Sequence, residues 1–183
     1  MRLKIDPERV RTAFGEVMDI KGFEESRALF EGGRLPVEML QAMSIRPEIL
    51  KAFGHLGEGI YPGSLLERNL QEKVILKASK LNGCQFCVNS HREIMRHLGI
   101  PQGQIEQLEA PKNLTDRELL AVRYTEAVTV DSNRVSDELF ADLSNRFSSE
   151  EIVELTFLIG FINMLNLFNN ALQVTYRDDY EKI

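Results

Sequence analysis

Tryptophan is absent from this chain of 183 residues, and cysteine occurs only twice. A secreted scaffold that depends on disulfides spreads its cysteines to close long loops, so that class is excluded. A basic block is missing as well. Lys and Arg number 22 against 28 Asp and Glu, for a net charge of -6. Phosphate backbones would find little to pair with, which argues against a nucleic-acid partner. No apolar stretch follows the start Met1-Arg2-Leu3-Lys4-Ile5-Asp6-Pro7, so no leader is expected and the cytoplasm is the expected compartment. The most apolar run, 152–174, is interrupted by Glu154, Asn163, Asn166, Asn169 and Asn170. It reads as a long helix buried on most sides, by the core or by a partner subunit, and not as a membrane span. Strand signals are also wanting. Val128-Thr129-Val130 is β-prone but too short to carry a sheet, and the one Asn-Gly pair, Asn82-Gly83, sits between two helical segments.

What is present is a series of helix signals. Asp6-Pro7 supplies an N-cap and a proline at the first helical position, and Pro36 and Pro47 predict starts for helices over 36–43 and 47–59. Thr115 to Glu118 and Ser148 to Glu151 are capping boxes, and Ser136 caps a helix over 137–146. Gly99, followed by Pro101, ends the helix that begins near Cys84. The glycine-rich segment 54–63 reads as a helix end and a loop, separating an N-terminal part of about 60 residues from the segment with the chemistry. The expectation is one all-α domain over 1–183: an N-terminal helical extension over 1–45, a core over 47–130 and a long apolar final helix over 148–172.

The segment from Leu65 to Leu81 is apolar on two sides when projected as a helix. Leu66, Leu70, Val74, Ala78 and Leu81 form one stripe, while Leu65, Ile75 and Leu76 form another. Such a helix is sandwiched between neighbours. Glu72 and Ser79 fall within the second stripe, so Glu72 is expected to be partly buried, and burial alone would raise its pKa. The plainer reading is a solvated carboxylate paired with Arg68 or Lys73.

Cys84, Cys87 and His91 stand at i, i+3 and i+7. At ~100° per residue all three fall within about 60° on one helix face. Gly83 places the thiols at the helix start, where unpaired N–H groups and the positive end of the dipole stabilise a thiolate. A pair one turn apart can close a disulfide. His91, one turn beyond Cys87, can take up or return a proton, and Glu72 can orient its ring. Helix position alone leaves open which sulfur attacks first.

The stretch from Glu72 to His91, with the pattern E-x11-C-x2-C-x3-H, resembles the signature of the AhpD-like alkylhydroperoxidases of the carboxymuconolactone decarboxylase superfamily. The resemblance is strong over 47–130, and Gly160 to Ala171 is similar to the final helix of the peroxidase-related branch. It implies an AhpD-like helical bundle that assembles as a homo-oligomer, a trimer or a hexamer. It implies reduction of alkyl hydroperoxides through a sulfenic acid on Cys87, resolved as a disulfide by a more accessible Cys84. Glu72 and His91 would relay protons, and a dithiol such as dihydrolipoamide would re-reduce the pair. No cofactor or metal is called for. One departure is Phe86, where studied members carry a second histidine.

Other readings compete. The pair could serve a disulfide reductase or thiol sensor that never meets peroxide. Cys84, Cys87 and His91 with Glu72 or His55 could ligate zinc in a structural module. The four asparagines of the final helix read as interhelical hydrogen-bond partners.

Overall fold

A computed structural model describes residues 1–61, 65–106, 108 and 114–177, the side chain of Glu25 excepted. Among these residues every regular element is helical, so the chain is all-α as expected. It divides into two compact units, Met1–Pro62 with Ala171–Ile183, and Gly63–Asn170. The first unit is therefore larger than the expected 1–45 extension, and its end falls close to the break expected near residue 60. Pro62 and Gly63, the last part of the expected loop, lie outside the described residues.

The first unit holds α1 (Pro7–Gly15), α2 (Glu24–Glu31), α3 (Glu38–Met43) and α4 (Pro47–Glu58). Asp6 caps α1 by accepting from the Glu8 N–H, and Pro47 opens α4 as predicted, whereas α3 starts two residues after Pro36. Phe14 packs on Phe23 and Phe30 with ring centroids 5.5 and 5.2 Å apart, and Phe23 lies 6.1 Å from Phe53. Offset and edge-on aromatic pairs of this kind anchor a small core. Gly54, expected at a helix end, lies inside α4. A Cβ there would sit 2.7 Å from the Phe23 ring, so glycine serves close packing and not helix termination.

The second unit is built around α5 (Arg68–Leu81), with α6 (Gln85–His97), α7 (Gln102–Glu106), α8 (Asp116–Asp131), α9 (Asp137–Ser144) and α10, which spans Ser149–Leu172. Ten consecutive residues of α5, Leu70 to Ser79, are buried, which agrees with the two-sided apolar pattern. Leu76, Val88, Met95, Ile100, Ile105 and Leu108 form a core cluster joining α5, α6 and α7. Burial of each such side chain contributes about 1.5–3 kcal/mol as an upper estimate. The capping boxes at Thr115 and Ser148 form, with each acid accepting from the cap residue's backbone N–H. Ser136 caps α9, and β-prone Val128 to Val130 continue α8.

By length and composition α10 could cross a membrane. Its polar groups are instead bonded inside the unit. Glu154 accepts from the Leu65 and Leu66 backbone N–H groups, and its asparagines bond to residues 79–87. This is how a core helix satisfies polar side chains.

Candidate functional site

The corner between α5 and α6 places the two cysteines. Gly83 adopts φ +64, and the Cys84 N–H bonds back to the Ser79 carbonyl at 2.9 Å. A left-handed residue with such a return bond closes a helix C-terminus, and a side chain there would be strained. Gly83 therefore stops α5, while the next residue starts α6. Cys84 is the N-cap, not a residue of the first turn. Its Sγ accepts the Cys87 backbone N–H at 3.3 Å, taking the place that a serine or aspartate oxygen usually fills.

Cys84 and Cys87 are both free thiols and both buried, at 0% and 3% exposure. The implied greater accessibility of Cys84 is not found: the tight α5–α6 corner covers it completely. The two sulfurs differ electrostatically. The hydrogen bond from the Cys87 thiol, with the Cys87 backbone N–H and the Asn166 and Asn169 amides, outweighs burial and holds Cys84 down to about 7. Cys87 is pushed up because it keeps its proton toward Cys84 and because it is buried. Cys84 is thus the sulfur that carries negative charge first.

His91 and Glu72 meet as expected: His91 Nδ1 lies 2.7 Å from Glu72 Oε2. Glu72 is fully buried. It is not, however, a lone buried acid. Arg68 Nε lies 2.8 Å from its other oxygen, Oε1, one turn earlier on α5. An arginine is always charged, so the group facing His91 is one end of an ion pair. Of the two pairings open to Glu72 in sequence, Arg68 is the one made. Lys73 turns to Glu118 on α8. The bond to Glu72 fixes the orientation of the His91 ring.

The asparagines of α10 were legible as hydrogen-bond partners but not as neighbours of the sulfurs. Asn169 Nδ2 donates to Cys87 Sγ at 3.3 Å, and Asn166 Nδ2 donates to Ser79 Oγ at 3.1 Å. Asn82, at the end of α5, donates to Asn166 at 3.0 Å and to Asn163, and its carbonyl accepts from Asn170 at 2.8 Å. The available signal was clustering: four amides, at 163, 166, 169 and 170, within an otherwise apolar run.

Zinc finds no support. Among the described residues no three His, Cys, Asp or Glu side chains group as metal ligands. His55 belongs to α4 of the other unit, where its Nδ1 lies 3.4 Å from Glu58. A cavity of about 390 Å³ between α8 and α9, lined in part by Arg123 and Arg146, contains none of the predicted site residues.

Comparison with known proteins covers the same stretch. The carboxymuconolactone decarboxylase family model matches residues 47–127. A protein of unknown function from Agrobacterium tumefaciens, proposed to be the antioxidant defence protein AhpD, is 30% identical. Its structure superposes with a TM-score of 0.69 over 75% of this chain and 97% of that one. An uncharacterized peroxidase-related protein from Ralstonia eutropha JMP134, with an alkylhydroperoxidase AhpD core, shares the fold at TM-score 0.78 and 18% identity. That likeness spans 97% of this chain and 93% of the other. The uncharacterized protein YdfG of Bacillus subtilis (strain 168) is 29% identical over 113 residues, which is 60% of this chain and 77% of that protein.

Proposed function

This chain belongs to the AhpD-like carboxymuconolactone decarboxylase superfamily, and on that footing we propose that it is a thiol-dependent peroxidase-type oxidoreductase that reduces alkyl hydroperoxides. The observation that carries the reading is the part-buried bond by which Glu72 holds His91, on the helix that bears the cysteine pair. A histidine oriented by a carboxylate beside two thiols is a proton-transfer device for sulfur chemistry.

His91 takes the Cys87 proton, and the Cys87 thiolate attacks the peroxide. An S–O bond forms, the O–O bond breaks, and the leaving alkoxide takes the proton from His91. Cys84, already ionised near neutral pH, then attacks the sulfenic sulfur. An S–S bond forms and the S–O bond breaks; the departing hydroxide takes up the proton that Cys84 gave to solvent on ionising and leaves as water. Two thiols and one hydroperoxide become a disulfide, an alcohol and water. An external dithiol of the dihydrolipoamide type restores the pair by exchange. Phe86 provides no second titrating group beside Cys87, so His91 carries the proton traffic alone.

The proposal includes a cytoplasmic homo-oligomer, a trimer or a hexamer. Support comes from the outer face of α10, where Val153, Phe157, Met164 and Leu167 are exposed at helix–helix spacing.

The test supplies purified protein with an alkyl hydroperoxide and dihydrolipoamide. Turnover is expected in the wild type and absent in Cys84→Ser and Cys87→Ser. Cys84→Ser should accumulate a trappable sulfenic acid on Cys87. No thiol-dependent turnover in the wild type, or full activity in both variants, overturns the reading. Sulfenic acid trapped only in Cys87→Ser would exchange the roles of the two sulfurs.

A further inference from the structure

The cysteine pair receives hydrogen bonds from two different sources. Cys84 Sγ accepts a backbone N–H, that of Cys87, which any sequence at this helix start would provide. Cys87 Sγ accepts from a side chain, Asn169, brought in from α10, 82 positions further along the chain. Asn169 is 1% exposed, so its amide donates away from competing water. The other amides of α10 hold it there. Asn166 bonds to Ser79, and Asn163, Asn166 and Asn170 all bond to Asn82, clamping α10 onto the corner that carries the sulfurs.

We propose that Asn169 is a positioning residue of the redox site: its buried amide N–H stabilises the negative charge that the two sulfurs share, and so sets their reactivity. The chain of donors runs from the Asn169 N–H to Cys87 Sγ, and from the Cys87 thiol to the Cys84 thiolate. A donor at the far end polarises the next bond, so removing it weakens the thiolate on either sulfur. Asn169 also lies among the groups that favour ionisation of both thiols. On the neighbouring helices, His91 of α6 is joined to the Arg68–Glu72 ion pair of α5. Beside the sulfurs α10 presents the neutral amides of Asn166 and Asn169, so the amide donor acts there without a charge of its own. This rests on the redox pair of the preceding reading but not on peroxide as its oxidant.

The test reads thiolate directly. Reduced wild type and Asn169→Leu, a substitution of similar volume, are titrated by thiolate absorbance, and their alkylation by iodoacetamide is timed at pH 7. Half-ionisation of the wild type is expected at about 7. Loss of the amide donor to a sulfur pair that holds one negative charge should lower the thiolate fraction and the alkylation rate about tenfold. Asn169→Gln, which keeps an amide donor, should recover part of it. Helical circular dichroism checks that the variants fold. Should Asn169→Leu not fold, the wild type decides: the Asn169 side-chain amide resonance should move through the pH range with the thiol midpoint. Unchanged ionisation in a folded Asn169→Leu, or an amide resonance indifferent to thiol ionisation, overturns the proposal. A shift in a protein that turns over no peroxide would leave Asn169 in place and remove the peroxidase reading. Turnover with no shift would do the reverse.

Discussion

Helix α5 buries polar side chains on two of its sides, and the two sides use them differently. Toward α8, Lys73 and Lys77 are almost wholly buried and reach Glu118 and Glu126. Toward α6 and α10, Glu72 and Ser79 are equally buried and reach His91 and Asn166. Burial alone does not separate the two sets. The difference lies in the partners. Glu118 and Glu126 are acids at the protein surface, and Glu118 also completes a helix cap. His91 lies on the helix that starts at the two sulfurs, and Asn166 is among the amides that bond to Cys84. One side of α5 fastens helices, while the other orients groups that can exchange protons.

The largest effect that would sharpen this contrast is on the site side. Glu72→Gln keeps the volume but leaves the imidazole without its carboxylate, and the peroxide turnover proposed for the pair should fall about a hundredfold. Thermal unfolding should move much less, since Arg68 is near enough to the surface to be solvated when its partner becomes neutral. Next in size is Lys73→Met on the other side. It removes the partner of Glu118, which retains some solvent and its cap, so the cost is about 2 kcal/mol, below the 3–5 typical of a fully buried broken pair. Denaturant unfolding would show it, while the Cys84 ionisation near 7 should stay in place. The contrast breaks if Lys73→Met lowers turnover as far as Glu72→Gln does at equal fraction folded.

Much of this was legible in the sequence because it is local. Cys84, Cys87 and His91 lie on one stretch of helix, and Thr115 and Ser148 announce their helices through residues three positions away. Glu72 was legible at one remove: its apolar stripe implied burial, and burial implied a partner. What is not legible there depends on tertiary approach. Nothing within a few residues of Cys87 indicates Asn169, 82 positions on. Gly83 shows a related limit: its place just ahead of a helix start is legible, but only its positive φ shows that it also ends the previous helix and makes Cys84 the N-cap. Gly54 shows the same limit, since only the Phe23 ring packed against it explains a glycine within α4.

The smallest effect concerns the two sulfurs themselves and is read through stability. Cys84 is lowered from an ordinary 9.0 to about 7 in the folded chain. A depressed folded value means that the fold binds the thiolate better than the unfolded chain does. That stabilisation is complete above the unfolded value and is lost as pH falls through about 7. Cys87, pushed upward, stays protonated in the fold across this window, and its opposing effect begins only near its ordinary 9.0, at the top of the window. Reduced wild type and Cys84→Ser should therefore differ in melting temperature by an amount that widens from pH 7 to pH 9 and is constant at lower pH. A serine caps a helix at least as well as a cysteine, but its contribution does not titrate, so it shifts the difference without changing its slope. His91 and the Arg68–Glu72 pair are present in both proteins and cancel to first order. Closing the disulfide should remove the slope from the wild type as well, because no thiol remains to ionise. A difference that narrows toward pH 9 would mean that the corner of α5 and α6 disfavours charge on Cys84, and the assignment of the resting thiolate would pass to Cys87.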